Sequence, residues 1–158
     1  MEPYGYSIFC EDIREEVSGS RSLIGVFDVA LFVPQFPVVI PKLAVITRLV
    51  LPLDVKIYGF DWTISFPSDE AGKPSFVAKA ESEGPFVQEE GADLPLEWKD
   101  PDVDKAQRLT QSVVFSPVHI PSPGLIKVRA IVGQAIIKAG VLRVGKMSMP
   151  PNETSGKS

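Results

Sequence analysis

Tyr58-Gly59-Phe60-Asp61-Trp62-Thr63-Ile64-Ser65-Phe66 decides the fold class. Five large apolar side chains, Tyr58, Phe60, Trp62, Ile64 and Phe66, alternate with Gly59, Asp61, Thr63 and Ser65. An extended chain sends successive side chains to opposite faces, so this period of two gives one apolar face and one wet face. The segment reads as a half-buried strand with its aromatic face in a core.

Toward the C-terminus, Pro67 to Pro74 is a turn cluster and Ser75 to Ala80 a short strand. From Glu81 to Lys105 the composition shifts to acid, Gly and Pro, which predicts one long acidic loop over the surface. Extended structure resumes from Arg108 to Ile120, where Val113 and Phe115 alternate with Val114 and Ser116. Leu125 to Val132 and Ala135 to Val144 flank Gly133-Gln134, a two-residue loop with Gly in the first position, as a type II′ hairpin requires. In that hairpin Ile126, Val128 and Ala130 share the core face while Lys127 and Arg129 meet water.

Toward the N-terminus, Val38 to Leu51 is apolar on both faces and reads as a central strand, with Pro41 marking a bulge or an edge. Ala30 to Val33 is extended and Pro34 to Pro37 a corner. Tyr6 to Ile13 and Ser22 to Phe27 pair through the turn Val17 to Ser20, where Gly19 takes positive φ. About eight short strands with turn signals between them predict an all-β antiparallel β-sandwich filling residues 1–146 as a single domain, with 147–158 as a disordered tail.

Composition supports this reading. A chain of 158 residues is one domain long, and its 15 prolines and 12 glycines favour short strands over long helices. The net charge of −4, with acidic and basic residues mixed along the chain, leaves no electrostatic footprint for nucleic acid. Val29 to Val50 is hydrophobic enough to test as a membrane span, but Pro34, Pro37 and Pro41 would free backbone groups in lipid and Gln35, Lys42 and Arg48 interrupt it. Met1 to Tyr6 has no basic region before an apolar run, so it does not read as a secretory signal. The single Cys10 forms no intramolecular disulfide and fits the cytoplasm.

The chemistry-bearing residues are few. Asp100, Asp102 and Asp104 have the alternate spacing that opens a calcium loop, but Lys105 stands where Gly is needed and Gln111 where a bidentate Glu is needed. Cys10 and His119 are the only thiol and the only imidazole, too few for zinc; a lone Cys on an apolar strand reads as a small buried hydrophobe. Glu11, Asp12, Arg14, Glu15 and Glu16 cluster at the end of the first strand, where Asp12 and Arg14 share a face and are expected to pair or hold the following turn. No Gly-rich phosphate loop, nucleophile elbow or His-Glu-x-x-His pair is present. No catalytic, cofactor-binding or metal-binding residue is therefore assigned.

Phe9-Cys10-Glu11-Asp12-Ile13-Arg14, Ser22-Leu23-Ile24-Gly25-Val26-Phe27, Phe36-Pro37 and Ile40-Pro41-Lys42-Leu43 resemble a bacterial family of uncharacterised β-rich proteins. Pro123-Gly124 and Leu142-Arg143-Val144 are similar to that family's closing hairpin, a pattern shared with the last two strands of immunoglobulin-like sandwiches. The resemblance implies an immunoglobulin-like fold and a bacterial or phage origin, and carries no activity.

The expected function is a non-catalytic protein-interaction or assembly module without cofactor, acting on a protein partner or by self-association, and on neither nucleic acid nor membrane. The expected interaction surface is the proline-framed apolar run represented by Leu31, Phe32, Val33, Phe36 and Val38. Two alternatives stand beside it: a small-ligand binder or enzyme using the acidic loops, and a phage or mobile-element protein that inhibits a host factor.

Overall fold

The computed structural model describes residues 2–85 and 106–148, and they form eleven strands and no helix. In chain order these are β1 (Tyr4–Glu15), β2 (Arg21–Val26), β3 (Ala30–Val33), β4 (Val38–Ile40), β5 (Leu43–Pro52), β6 (Gly59–Ser65), β7 (Phe76–Glu81), β8 (Ala106–Phe115), β9 (Val118–Ile120), β10 (Gly124–Val132) and β11 (Ala135–Lys146). A four-stranded sheet runs β2-β1-β5-β8 and a five-stranded sheet runs β3-β11-β10-β6-β7, with β4-β9 as a small third ladder. All pairings are antiparallel except that of β3 with β11. The arrangement is sandwich-like, with the inner faces of the two large sheets meeting in one core.

Strand β6 keeps the alternation that its sequence sets: Phe60, Trp62 and Ile64 are buried and the residues between them are not. Tyr58 is a correction, because the strand begins at Gly59 and leaves that ring half exposed. Trp62 crosses the core. Its indole Nε1 donates to Thr47 Oγ1 of β5 at 3.2 Å, and Thr47 shares a 2.8 Å hydrogen bond with Ser7 Oγ of β1, so the buried threonine is satisfied from both sheets. Trp62 also packs edge-on against Phe76, which meets Phe115 edge-on in turn.

The predicted strand Val38 to Leu51 is two strands, and so is Arg108 to Ile120; these two splits turn the nine extended runs read from the sequence into eleven strands. Both have one cause. Ile40 pairs with Val118 and Leu43 with Phe115, and on that constant register Pro41 stands opposite Pro117. Neither proline has an N–H to donate, so the ladder breaks there and resumes in the same register on the other side. Strand β5 does lie centrally, between β1 and β8, as its two apolar faces require.

The hairpin β10–β11 closes on Val132 opposite Ala135, with Gly133 at φ 59° and no positive φ at Gln134, the pattern of a type II′ turn. Its inward residues are Ile126, Val128, Ala130 and Val132. On β11 the inward phase slips from Ile137 and Ala139 to Leu142 and Val144, because the register shifts between Val128 and Arg129 and Ala139 is bulged. Beside the bulge, β1 crosses so closely that a Cβ on Gly140 would lie 2.8 Å from Ser7 Cβ. Glycine there sets the distance between the sheets.

Candidate binding surface

The outward side chains of the five-stranded sheet form a grid fixed by its register. Along β10 they are Leu125, Lys127, Arg129 and Ile131. Lys127 stands between Ser65 and Val141, Arg129 between Thr63 and Lys138, Ile131 between Asp61 and Ile136, and Leu125 beside Arg143. Two cations thus lie between two apolar residues on one strand, and more cations continue onto β11.

The loop from Pro67 to Pro74 rises beside this grid and turns it into a concave site of about 510 Å³. Leu125, Lys127, Arg129, Ile131 and Ile136 line its sheet side. The loop has two anchors. Pro67 leans on Gly124, where a Cβ would come within 2.7 Å of the proline ring. Asp69 Oδ2 accepts from the N–H groups of Phe66 and Ser75, each at 2.8 Å, and its Oδ1 accepts from Ser75 Oγ. Burial pushes the Asp69 carboxyl upward, but the three hydrogen bonds to its charged form outweigh that, and its pKa is lowered.

Among the described residues, the acids near the site are already engaged. Glu70 pairs with Lys73 at 2.5 Å, Asp61 with Lys79 at 3.5 Å, and Asp69 serves the loop backbone. By contrast, Lys127, Arg129, Lys138 and Arg143 form no ion pair with any described residue. From Ala106 to Ser148 the sequence contains no Asp or Glu at all, while it supplies Arg108, Lys127, Arg129, Lys138, Arg143 and Lys146. The two signs are mixed up to Lys105, and the acids then stop until Glu153, a signal present in the sequence.

The expected interaction run is divided by the fold. Val33 is buried, while Leu31, Phe36 and Val38 are partly buried against the core. Phe32 alone of the five is well exposed, at 58%. It lies over Gly145 of β11, where a Cβ would be 3.9 Å from its ring.

In the acidic cluster at the end of β1, Asp12, Glu15 and Glu16 are engaged within the fold. Asp12 pairs with Lys42 at 3.0 Å, thirty residues away, and not with Arg14. The Lys42 hydrogen bond and the Ile13 N–H hold its carboxyl below the usual range despite desolvation. Glu15 pairs with Arg21 at 2.7 Å and Glu16 accepts from Ser22 Oγ, so both tie the β1–β2 turn. Cys10 is fully buried between Val26 and Ala44; desolvation raises its pKa, and its thiol donates to the Asp12 carbonyl. His119 is on the exposed side of β9, opposite Val39. Among the described residues there is no cluster of metal-ligating side chains and no helix long and apolar enough to cross a membrane. Asp100, Asp102, Asp104 and most of the Glu81 to Lys105 stretch lie outside the described residues, as does 149–158 of the tail.

No curated protein and no solved structure matches the chain. A family model matches residues 5–145, every strand from β2 to β10 and nearly all of β1 and β11. The chain belongs to a family of unknown function, DUF6941.

Proposed function

We infer that this protein is a non-enzymatic interaction module with an immunoglobulin-like sandwich, and that it binds a protein partner through the outer face of its five-stranded sheet. The strand order supports the fold reading. Strands β5 and β8 correspond to B and E of the immunoglobulin sandwich, and β7, β6, β10 and β11 to C′, C, F and G, with β1 on the flank that A takes. Trp62 on β6 then has the place of the core tryptophan of strand C, with no disulfide beside it. The buried free thiol is compatible with the reducing cytoplasm.

One observation carries the functional reading: the concave face combines Lys127 and Arg129, which form no ion pair among the described residues, with exposed Leu125, Ile131 and Ile136, the last 67% accessible. Aliphatic side chains left open beside unpaired cations are what a polar-rimmed protein contact uses. The test is capture from the native host with the tagged full chain, with Ile136→Asp, and with Tyr4→Ser, a change at an exposed ring on the other sheet. A partner kept by Tyr4→Ser and lost by Ile136→Asp supports the reading. No partner, or one indifferent to Ile136→Asp, overturns it.

A further inference from the structure

The geometry points to an extended acidic peptide as the ligand of this face, one whose same-side residues read apolar, acidic, acidic, apolar at every second position. This inference rests on the binding surface inferred above and names its ligand chemistry. The outward residues of β10 are Leu125, Lys127, Arg129 and Ile131, each two residues from the next. Alternate residues of a strand repeat roughly every 6.4–6.8 Å, and a bound extended peptide has the same repeat. Two carboxylates at that spacing meet Lys127 and Arg129 together, and the flanking apolar residues meet Leu125 at one end and the Ile131–Ile136 pair at the other. A helix would present only part of this pattern along one line, because its same-face residues are three or four apart.

Charge complementarity selects the acid. Among the described residues, the acids near the site, Asp61, Asp69 and Glu70, each have an internal partner, while Lys127 and Arg129 form no ion pair, so the β10 face presents its cations to a ligand. Nucleic acid fits less well. Strand β10 itself carries no aromatic ring for base stacking, two apolar ends interrupt the cations, and a chain of net charge −4 disfavours a long polyanion.

The test is fluorescence anisotropy of the full chain with a labelled Leu-Ser-Glu-Ser-Glu-Ser-Leu peptide. Controls are the Lys-for-Glu version, the rearranged Glu-Ser-Leu-Ser-Leu-Ser-Glu peptide, and a labelled single-stranded oligonucleotide. The expected result is binding about tenfold or more tighter than to any control, weakened by salt, and abolished by Lys127→Glu with Arg129→Glu. Equal binding of the rearranged peptide, preference for the oligonucleotide, or binding unchanged in the charge-reversed variant overturns the inference. Salt-sensitive self-association lost in the same variant would make a second copy the occupant and overturn it as well. If the peptide fails while Ile136→Asp still releases a captured partner, only the ligand chemistry falls; if both fail, the surface falls too.

Discussion

The two faces of strand β10 are made by the same residues in alternation, yet different forces specify them. Ile126, Val128, Ala130 and Val132 face inward and are almost fully buried, so each is held by apolar transfer and close packing. Leu125, Lys127, Arg129 and Ile131 face outward, have only cross-strand neighbours on β6 and β11 beside them, and form no ion pair among the described residues. The inner face accounts for why the protein folds. The outer face has a composition that folding does not require, and that difference is what makes it a candidate for function.

The largest effect that sharpens this contrast comes from the inner side of the neighbouring strand. Trp62→Ala removes the side chain that spans the core and reaches Thr47, and is expected to cost about 3–5 kcal/mol, read as a lower denaturation midpoint. A loss below about 1 kcal/mol would mean that the site collapses around the gap and that the core is less tightly specified than its burial implies.

Gly140→Ala and Gly124→Ala separate the faces in a second way. An added methyl at 140 meets Ser7 between the sheets, and one at 124 meets Pro67 at the root of the loop. Each is expected to cost about 1–3 kcal/mol by overpacking. Only Gly124→Ala is expected also to weaken ligand binding, because Pro67 carries the wall of the concave site. Equal effects of the two on binding would show that the loop is not a separate part of the surface.

Asp69→Ala leaves two backbone N–H groups without their acceptor and is expected to cost about 1–2 kcal/mol. The pH dependence has a definite sign. Since the folded pKa is lowered, the carboxylate's contribution is complete above the unfolded value of about 3.9 and is lost as pH falls through the folded value. Asp69→Asn keeps one oxygen for the two N–H groups and presents an amide to Ser75 Oγ, which can accept. It is expected to retain most of the stability and to lose that acid sensitivity, as a denaturation series below pH 5 would reveal.

These contrasts also mark what the sequence makes legible. Phe60, Trp62 and Ile64, the Gly133-Gln134 turn and the central place of β5 follow from periodicity and turn chemistry, which are local properties. The break at Pro41 and Pro117 does not, because its cause is the juxtaposition of two prolines far apart in the chain. Lys42 as the partner of Asp12 is equally non-local, whereas Arg14 is only a neighbour in sequence. The basic face was legible in part. The acid-free stretch from Ala106 to Ser148 is plain once charge is read by segment, but the whole-chain value of −4 averages it away. The run from Leu31 to Val38 stood out for its hydrophobicity, a signal shared by buried and exposed residues alike, and burial leaves only Phe32 of the named five well exposed.

The smallest expected effect on stability tests the contrast most directly. Lys127→Glu with Arg129→Glu changes two exposed side chains that have no ion-pair partner among the described residues, so the denaturation midpoint should move by no more than about 0.5 kcal/mol in equivalent stability. The outward positions even gain nearby attraction from Lys138, the cross-strand neighbour of Arg129. If the pair instead destabilises the protein by as much as an inward substitution, the outer face is part of the folding core and its cations have a structural role. If stability holds and binding is lost, alternate residues of one strand divide the work, with the inward set building the sandwich and the outward set recognising the partner.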